Sequence, residues 1–149
     1  MRSLTIVFLF LFSFVARSEE ISGLSAFAEE YWAAVRSQDP QKIYAFYDPQ
    51  VFSELSPAET DLMKEYWLQS YSEILKKQGD SYQITFKALP DEANPLPTWQ
   101  WAAKPQYQIE IQTFQHVSNG KEGLTGLTDM VIQKEDRFFI IRKLEKRLI

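Results

Sequence analysis

Apolar residues recur along the first half of the chain at three- and four-residue steps, and beyond Gly79 at every second residue. That change of period predicts helices first and strands after them. Leu24, Phe27, Tyr31 and Val35 form the first helical stripe, which Ser22 or Ser25 can cap. Asp39-Pro40 ends that helix and starts a second, with Asp39 as N-cap and proline at the first helical position. The second helix, from Pro40 to about Tyr47, carries Ile43, Phe46 and Tyr47 on one side. "SPAE" (Ser56–Glu59) is a capping box that opens a longer helix with Leu62, Met63, Tyr66, Trp67, Ile74 and Leu75, stopped by Gly79.

The second half alternates. Tyr82, Ile84, Phe86 and Ala88 oppose Gln83, Thr85 and Lys87, and Tyr107, Ile109 and Ile111 oppose Gln108, Glu110 and Gln112. "GLTGLTDMVIQK" and "RFFIIRKLEK" follow as a pair of strands joined by a hairpin turn at Glu135-Asp136. "PDEANPLPT" arches between strands. One-sided patterning predicts a sheet with one face on the helices and the other toward water or a partner. The expected fold class is therefore α+β: three N-terminal helices packed on a curved antiparallel sheet, forming a cone whose open end is a natural pocket.

The start of the chain stands apart from this pattern. Met1-Arg2 is basic, "LTIVFLFLFSFVA" (Leu4–Ala16) is continuously apolar, and Ala16 and Ser18 sit where a signal peptidase reads small residues. Residues 1–18 are expected to be a signal peptide, leaving one domain over residues 19–149 with a periplasmic or secreted location. The apolar run is short for a membrane span, so none is expected after cleavage. No cysteine follows the run, which argues against a lipid-anchored lipoprotein. Arg2 and Arg17 leave with the leader, so fourteen basic residues remain against twenty acidic ones, a net charge of −6. An acidic domain repels phosphate backbones, which argues against nucleic acid as a partner.

Several chemistries are excluded by what is missing. The chain has no cysteine and one histidine, His116, so thiol catalysis has no nucleophile, no multi-histidine metal site exists, and a zinc site is not expected. No G-x-S-x-G elbow, phosphate-cradling loop or dinucleotide fingerprint occurs, and neither metal nor cofactor is expected. His116 is expected at the surface, near the end of its strand. Trp99 and Trp101 in "TWQW" would share one side of an extended segment, as a stacking or partner surface or as cover for the sheet edge. Gln106, Gln108, Glu110 and Gln112 suit a solvated sheet face or a polar dimer interface.

"EEYWAAVRSQDPQKIYAFYDPQVF" (Glu29–Phe52) resembles the opening of nuclear transport factor 2-like domains, the steroid-isomerase-like or cystatin-like α+β fold. Asp39 supplies the step between two helices, "YAFYD" the aromatic-Asp helix end, and Val51-Phe52 the short strand that follows. The resemblance covers essentially the whole mature chain, and fold alone does not fix function. It implies, on the isomerase branch, Tyr31 as a hydroxyl donor, Glu54 as the base and Asp129 as a second donor on a late strand. It equally implies partner- or ligand-binding modules of bacterial envelope enzymes, and a homodimer through the outer sheet face.

Asp129 shares a face with Leu127 and Val131, and an apolar hollow is expected, lined by Phe27, Tyr31, Tyr47, Tyr66, Ile109 and Val131. On the enzyme reading Asp129 lies near its floor with a raised carboxyl pKa; the non-catalytic reading, the one expected, has Asp129 in solvent with an ordinary one. The functional expectation is an exported, non-catalytic binding or assembly module for a small apolar ligand or an envelope protein. The alternative is a small isomerase or lyase using Tyr31, Glu54 and Asp129 for proton transfer.

Overall fold

A computed structural model of the protein describes residues 23–77, 81–90, 102–116 and 122–143. The expected leader, Gly79, the greater part of the proline-rich loop, Trp99, Trp101 and the side chain of His116 lie outside the described residues. No described helix is long and apolar enough to cross a membrane.

Helix α1 covers residues 23–37 and closes at Gln38, whose φ of 53° lies in the left-handed region. Ser25 lies inside this helix and is not its cap. Asp39 accepts the Gln41 amide and Pro40 opens α2 (Pro40–Tyr44), as the Asp-Pro step predicts. α2 is shorter than expected because Phe46 and Tyr47 leave it to pair with the last strand. The Asp48 amide donates to the Ile140 carbonyl and the Ile140 amide to the Phe46 carbonyl, each at 2.8 Å. The strand-like residue is therefore Tyr47, in a parallel bridge with Ile140. Val51-Phe52, expected as the short strand, instead belongs to a 3-10 turn (Pro49–Phe52), because Asp48 caps the Gln50 amide and Pro49 takes its first position.

Helix α3 (Pro57–Lys76) has the expected capping box. The Ser56 hydroxyl accepts the Glu59 amide, and the Glu59 carboxylate accepts the Ser56 amide. Its buried stripe is Met63, Trp67 and Tyr71, at steps of four. Leu62 and Tyr66, expected on the inner face, are 49% and 44% exposed. Met63 and Trp67 are buried and Ile74 and Leu75 pack against the core as expected, so the inner face is shifted from Leu62 and Tyr66 toward Tyr71.

The sheet is an antiparallel meander in the order β1-β2-β3-β4, built from β1 (Ser81–Ala88), β2 (Tyr107–His116), β3 (Glu122–Lys134) and β4 (Arg137–Ile140). The β3–β4 turn is the expected Glu135-Asp136 pair, with Glu135 at a φ of 54°. The register opposes Phe86 to Ile109 and Ile109 to Asp129, and Ile111 to Leu127. These positions share the face that packs on the helices, in one core with Tyr31, Trp32, Ile43, Trp67 and Tyr71. The fold is thus α+β, helices on one face of an antiparallel sheet.

The outer face is solvated at Gln83, Thr85, Lys87 and Thr128, as expected, but covered toward β4. Met130, Ile132 and Ile141 form a second buried cluster there, covered by Leu89, Ala102, Ala103 and Phe139. The cause is the chain entering β2, which folds back so that the Ala102 amide donates to the Ile141 carbonyl at 3.0 Å. Glu110 and Gln112 are half-buried, and the Gln112 amide donates to the Glu110 carboxylate at 2.7 Å.

Candidate functional site

Four elements deliver polar groups to one buried place. α1 carries Tyr31, the bridge residue beside β4 is Tyr47, α3 carries Tyr71 and β3 carries Asp129. All four are buried, and Asp129 is wholly so. Arg142, just past β4, reaches in from the rim with about a quarter of its side chain exposed, and its Nε lies 2.7 Å from Asp129 Oδ1. Its Nη2 donates to the Thr128 carbonyl. Asp129 Oδ2 accepts the Tyr31 hydroxyl at 2.8 Å.

The remaining bonds have a direction. A tyrosine hydroxyl has one proton to give. Tyr31 gives its proton to Asp129, so the 2.7 Å contact between the Tyr31 and Tyr71 hydroxyls must be donated by Tyr71. Tyr71 is then spent, and its short contact with Tyr47 must be donated by Tyr47. Three hydroxyls thus point in series toward one carboxylate, an arrangement in which each bond polarises the next. Oδ1 is held by charge instead: the Arg142 Nε is close, but no aligned hydrogen bond reaches that atom.

Protonation follows from burial and neighbours. Burial raises the Asp129 carboxyl above its ordinary value of 3.8, and Arg142 and the Tyr31 hydrogen bond partly offset that. The Tyr31 and Tyr47 hydroxyls are pushed well above their ordinary value, chiefly by burial and further by the Asp129 charge and neighbouring tyrosines. Tyr71 moves the same way, burial first and the Asp129 charge next. Burial works against the Arg142 charge, but Asp129 and then the three hydroxyls more than offset it and hold the guanidinium charged.

Of the three residues expected to act together, the structure joins two. Tyr31 and Asp129 meet in the core. Glu54 does not join them: its carboxylate is 66% exposed, 3.3 Å from Lys143 Nζ on the surface. Its place after a 3-10 turn rather than a strand explains why it points outward. Phe27, Tyr47, Ile109 and Val131 lie inside as expected, and Tyr66 does not. Large rings pack among them. Phe46 stands 5.5 Å from Phe27 and 5.7 Å from Tyr31, and Trp67 stacks 4.7 Å from Tyr47, centroid to centroid. A recess of about 630 Å³ opens elsewhere, at the ends of β1 and β2, bordered by Leu89, Lys104, Gln106, Tyr107, Gln133 and Glu135.

Sequence reasoning missed Tyr71, Arg142 and Asp48. Tyr71 continues the Met63–Trp67 step of four, and Arg142 continues the alternation Phe138, Ile140, so both signals were present. Asp48 is fully buried, with one oxygen accepting the Gln50 amide at 2.9 Å and the other 2.5 Å from Lys134 Nζ. Among the described residues no cluster of acidic or histidine side chains could hold a metal ion.

No model of a known protein family matches the chain, and no curated protein is significantly similar to it. Among solved structures it is similar to a putative calcium/calmodulin dependent protein kinase II association domain from Xanthomonas campestris. The two are 14% identical, the match covers 80% of this chain and 82% of the other, and the TM-score is 0.41. At that level nothing about activity or partners transfers.

Proposed function

We propose that the protein is an exported nuclear transport factor 2-like domain that works as a binding or assembly module of the cell envelope and not as an enzyme. The observation that carries this reading is the engagement of Asp129. An isomerase of the expected kind needs a protonated carboxyl and a tyrosine that are free to donate to a developing oxyanion. Here the Tyr31 proton goes to Asp129 itself, and the other carboxylate oxygen faces Arg142. The pair is closed on its own protein. The base position adds to this, since Glu54 lies on the surface beside Lys143.

Proton exchange and sedimentation test the proposal together. A hydrophobic cyclic ketone incubated with the protein in deuterated buffer should gain deuterium beside its carbonyl no faster than in buffer alone. Sedimentation at micromolar concentrations should show self-association. Exchange that the protein accelerates, and that Asp129→Asn abolishes, would establish the enzyme instead. The burial of Tyr31 and Asp129 in one place in the core is the one observation favouring that second reading.

A further inference from the structure

The two edges of the sheet are treated differently. At the β4 edge, residues 46–48 lie alongside and take both the amide and the carbonyl of Ile140. At the other edge, β1 pairs with β2 on one side and with no described residue on the other. β1 is eight residues long and has none of the usual edge defences except Lys87: it holds no proline, no bulge and no second charge. Ser81, Gln83, Thr85, Lys87 and Ala88 are exposed. Ile84 and Phe86 are half-buried, although the β2 residues opposite them, Ile111 and Ile109, are each 1% exposed.

The direction of the free backbone groups is determined. The Leu89 amide donates to the Gln106 carbonyl at 2.8 Å, so odd-numbered residues of this strand turn their amides and carbonyls to β2. Tyr82, Ile84, Phe86 and Ala88 therefore offer theirs at the open edge.

We infer that this edge pairs with the same edge of a second copy of the chain, antiparallel about a two-fold axis through Thr85. The inference rests on the assembly reading above and names its surface, in place of the outer sheet face. The occupant follows from the strand's self-complementarity. In this register Ile84 meets Phe86 of the copy, and the large Tyr82 ring meets Ala88. The strand's lone charge, Lys87, meets Gln83, and Thr85 meets itself. Apolar residues meet apolar ones on the helix-facing side, polar ones meet on the other, and no like charges oppose. Registers centred on Ile84 or Phe86 pair fewer of the outward groups. The Thr85 register uses all four on each strand, about eight inter-chain hydrogen bonds. The Tyr82 ring is already braced for this, because its hydroxyl donates to Glu29 at 3.0 Å and Arg36 lies 5.1 Å over its ring.

Single cysteines test the register, since the chain has none of its own. Thr85 would face its copy as a non-hydrogen-bonded pair with Cα atoms about 4.5 Å apart, within disulfide reach. Thr85→Cys should give a covalent dimer under mild oxidation. Gln83→Cys should not, because the two copies of residue 83 would stand roughly 14 Å apart. Thr85→Lys, at an exposed position, should weaken association by about tenfold by opposing two ammonium groups. Its far-UV circular dichroism should stay unchanged, as should its melting temperature at concentrations where both proteins are monomeric. A dimer that persists in Thr85→Lys, together with a Thr85→Cys protein that does not cross-link, would overturn the edge pairing and keep the assembly reading. A monomer at every concentration would overturn both.

Discussion

Arg142 Nε lies 2.7 Å from Asp129 Oδ1, while Tyr31 gives its only proton to the other oxygen of the same carboxylate, 2.8 Å away. The helix layer and the last strand thereby meet at one buried charge. Breaking such a pair from one side leaves the other charge uncompensated, which costs more than the pair itself contributes. Arg142→Met should therefore destabilise by about 3 kcal/mol. Asp129→Asn should cost a similar amount, read by urea denaturation. A loss below about 0.5 kcal/mol in both would show that the carboxylate is solvated.

Tyr31→Phe removes the donor to Asp129 and the acceptor of Tyr71 while keeping the ring. The loss of a hydrogen bond to a charged group should cost about 2 kcal/mol. Tyr47→Phe, at the far end of the same series, loses only a neutral bond and should cost about 1 kcal/mol. Equal losses would contradict the direction assigned to the series.

The pH dependence follows from the raised carboxyl of Asp129. A group whose pKa is higher in the folded protein contributes its stability below its unfolded value, and that contribution fades as pH rises through the folded value. Stability of the protein relative to Asp129→Asn should therefore be greatest below the ordinary carboxylate value of 3.8 and fall as pH climbs above it. Chemical denaturation of both proteins at intervals from pH 3 to 8 checks the sign. A difference that grows with pH would mean that Arg142 outweighs burial.

Much of this arrangement is legible in the amino-acid sequence alone. The Asp39-Pro40 and Ser56–Glu59 caps form as their sequences dictate because they are local, satisfied within four residues. The strands follow from alternation, which fixes a face once one residue is placed. The non-catalytic reading expects Asp129 in solvent, and the structure corrects this: it is fully buried, because its partners Tyr31 and Arg142 come from α1 and from beyond β4, which no local pattern encodes. What failed was set by tertiary contact. Whether Tyr66 or Tyr71 turns inward depends on a rotation of α3 that its apolar residues, spread around much of the helix, leave open. Val51-Phe52 alternates no pattern long enough to read, and the Asp48 cap decides it. The covered outer face arises from the chain crossing back at Ala102, a contact no local pattern encodes.

Gly126 marks a close approach of β2 and β3. A Cβ there would stand 2.7 Å from the Ile111 carbonyl oxygen, a backbone atom that cannot turn aside. Gly126→Ala should cost about 1–3 kcal/mol by forcing the strands apart, although the site is exposed. An unchanged melting temperature would mean that the strands yield freely there.

Phe46 packs against Phe27 and Tyr31 from the chain that leaves α2, and Phe46→Ala should destabilise by about 3 kcal/mol. A change within about 0.5 kcal/mol would place that ring outside the core.

The closure of the Tyr31–Asp129 pair is tested most directly by an oxyanion that an isomerase would hold. The carboxyl carbon of Asp129 can be followed by carbon-detected NMR while a dinitrophenolate, which is ionised at neutral pH, is titrated into the protein. If Asp129 is engaged by Arg142 and Tyr31 within the protein, its carboxyl signal should stay in place at every concentration. A saturable shift of that signal, lost in Tyr31→Phe, would show that the pair opens to an oxyanion and would contradict the non-catalytic reading.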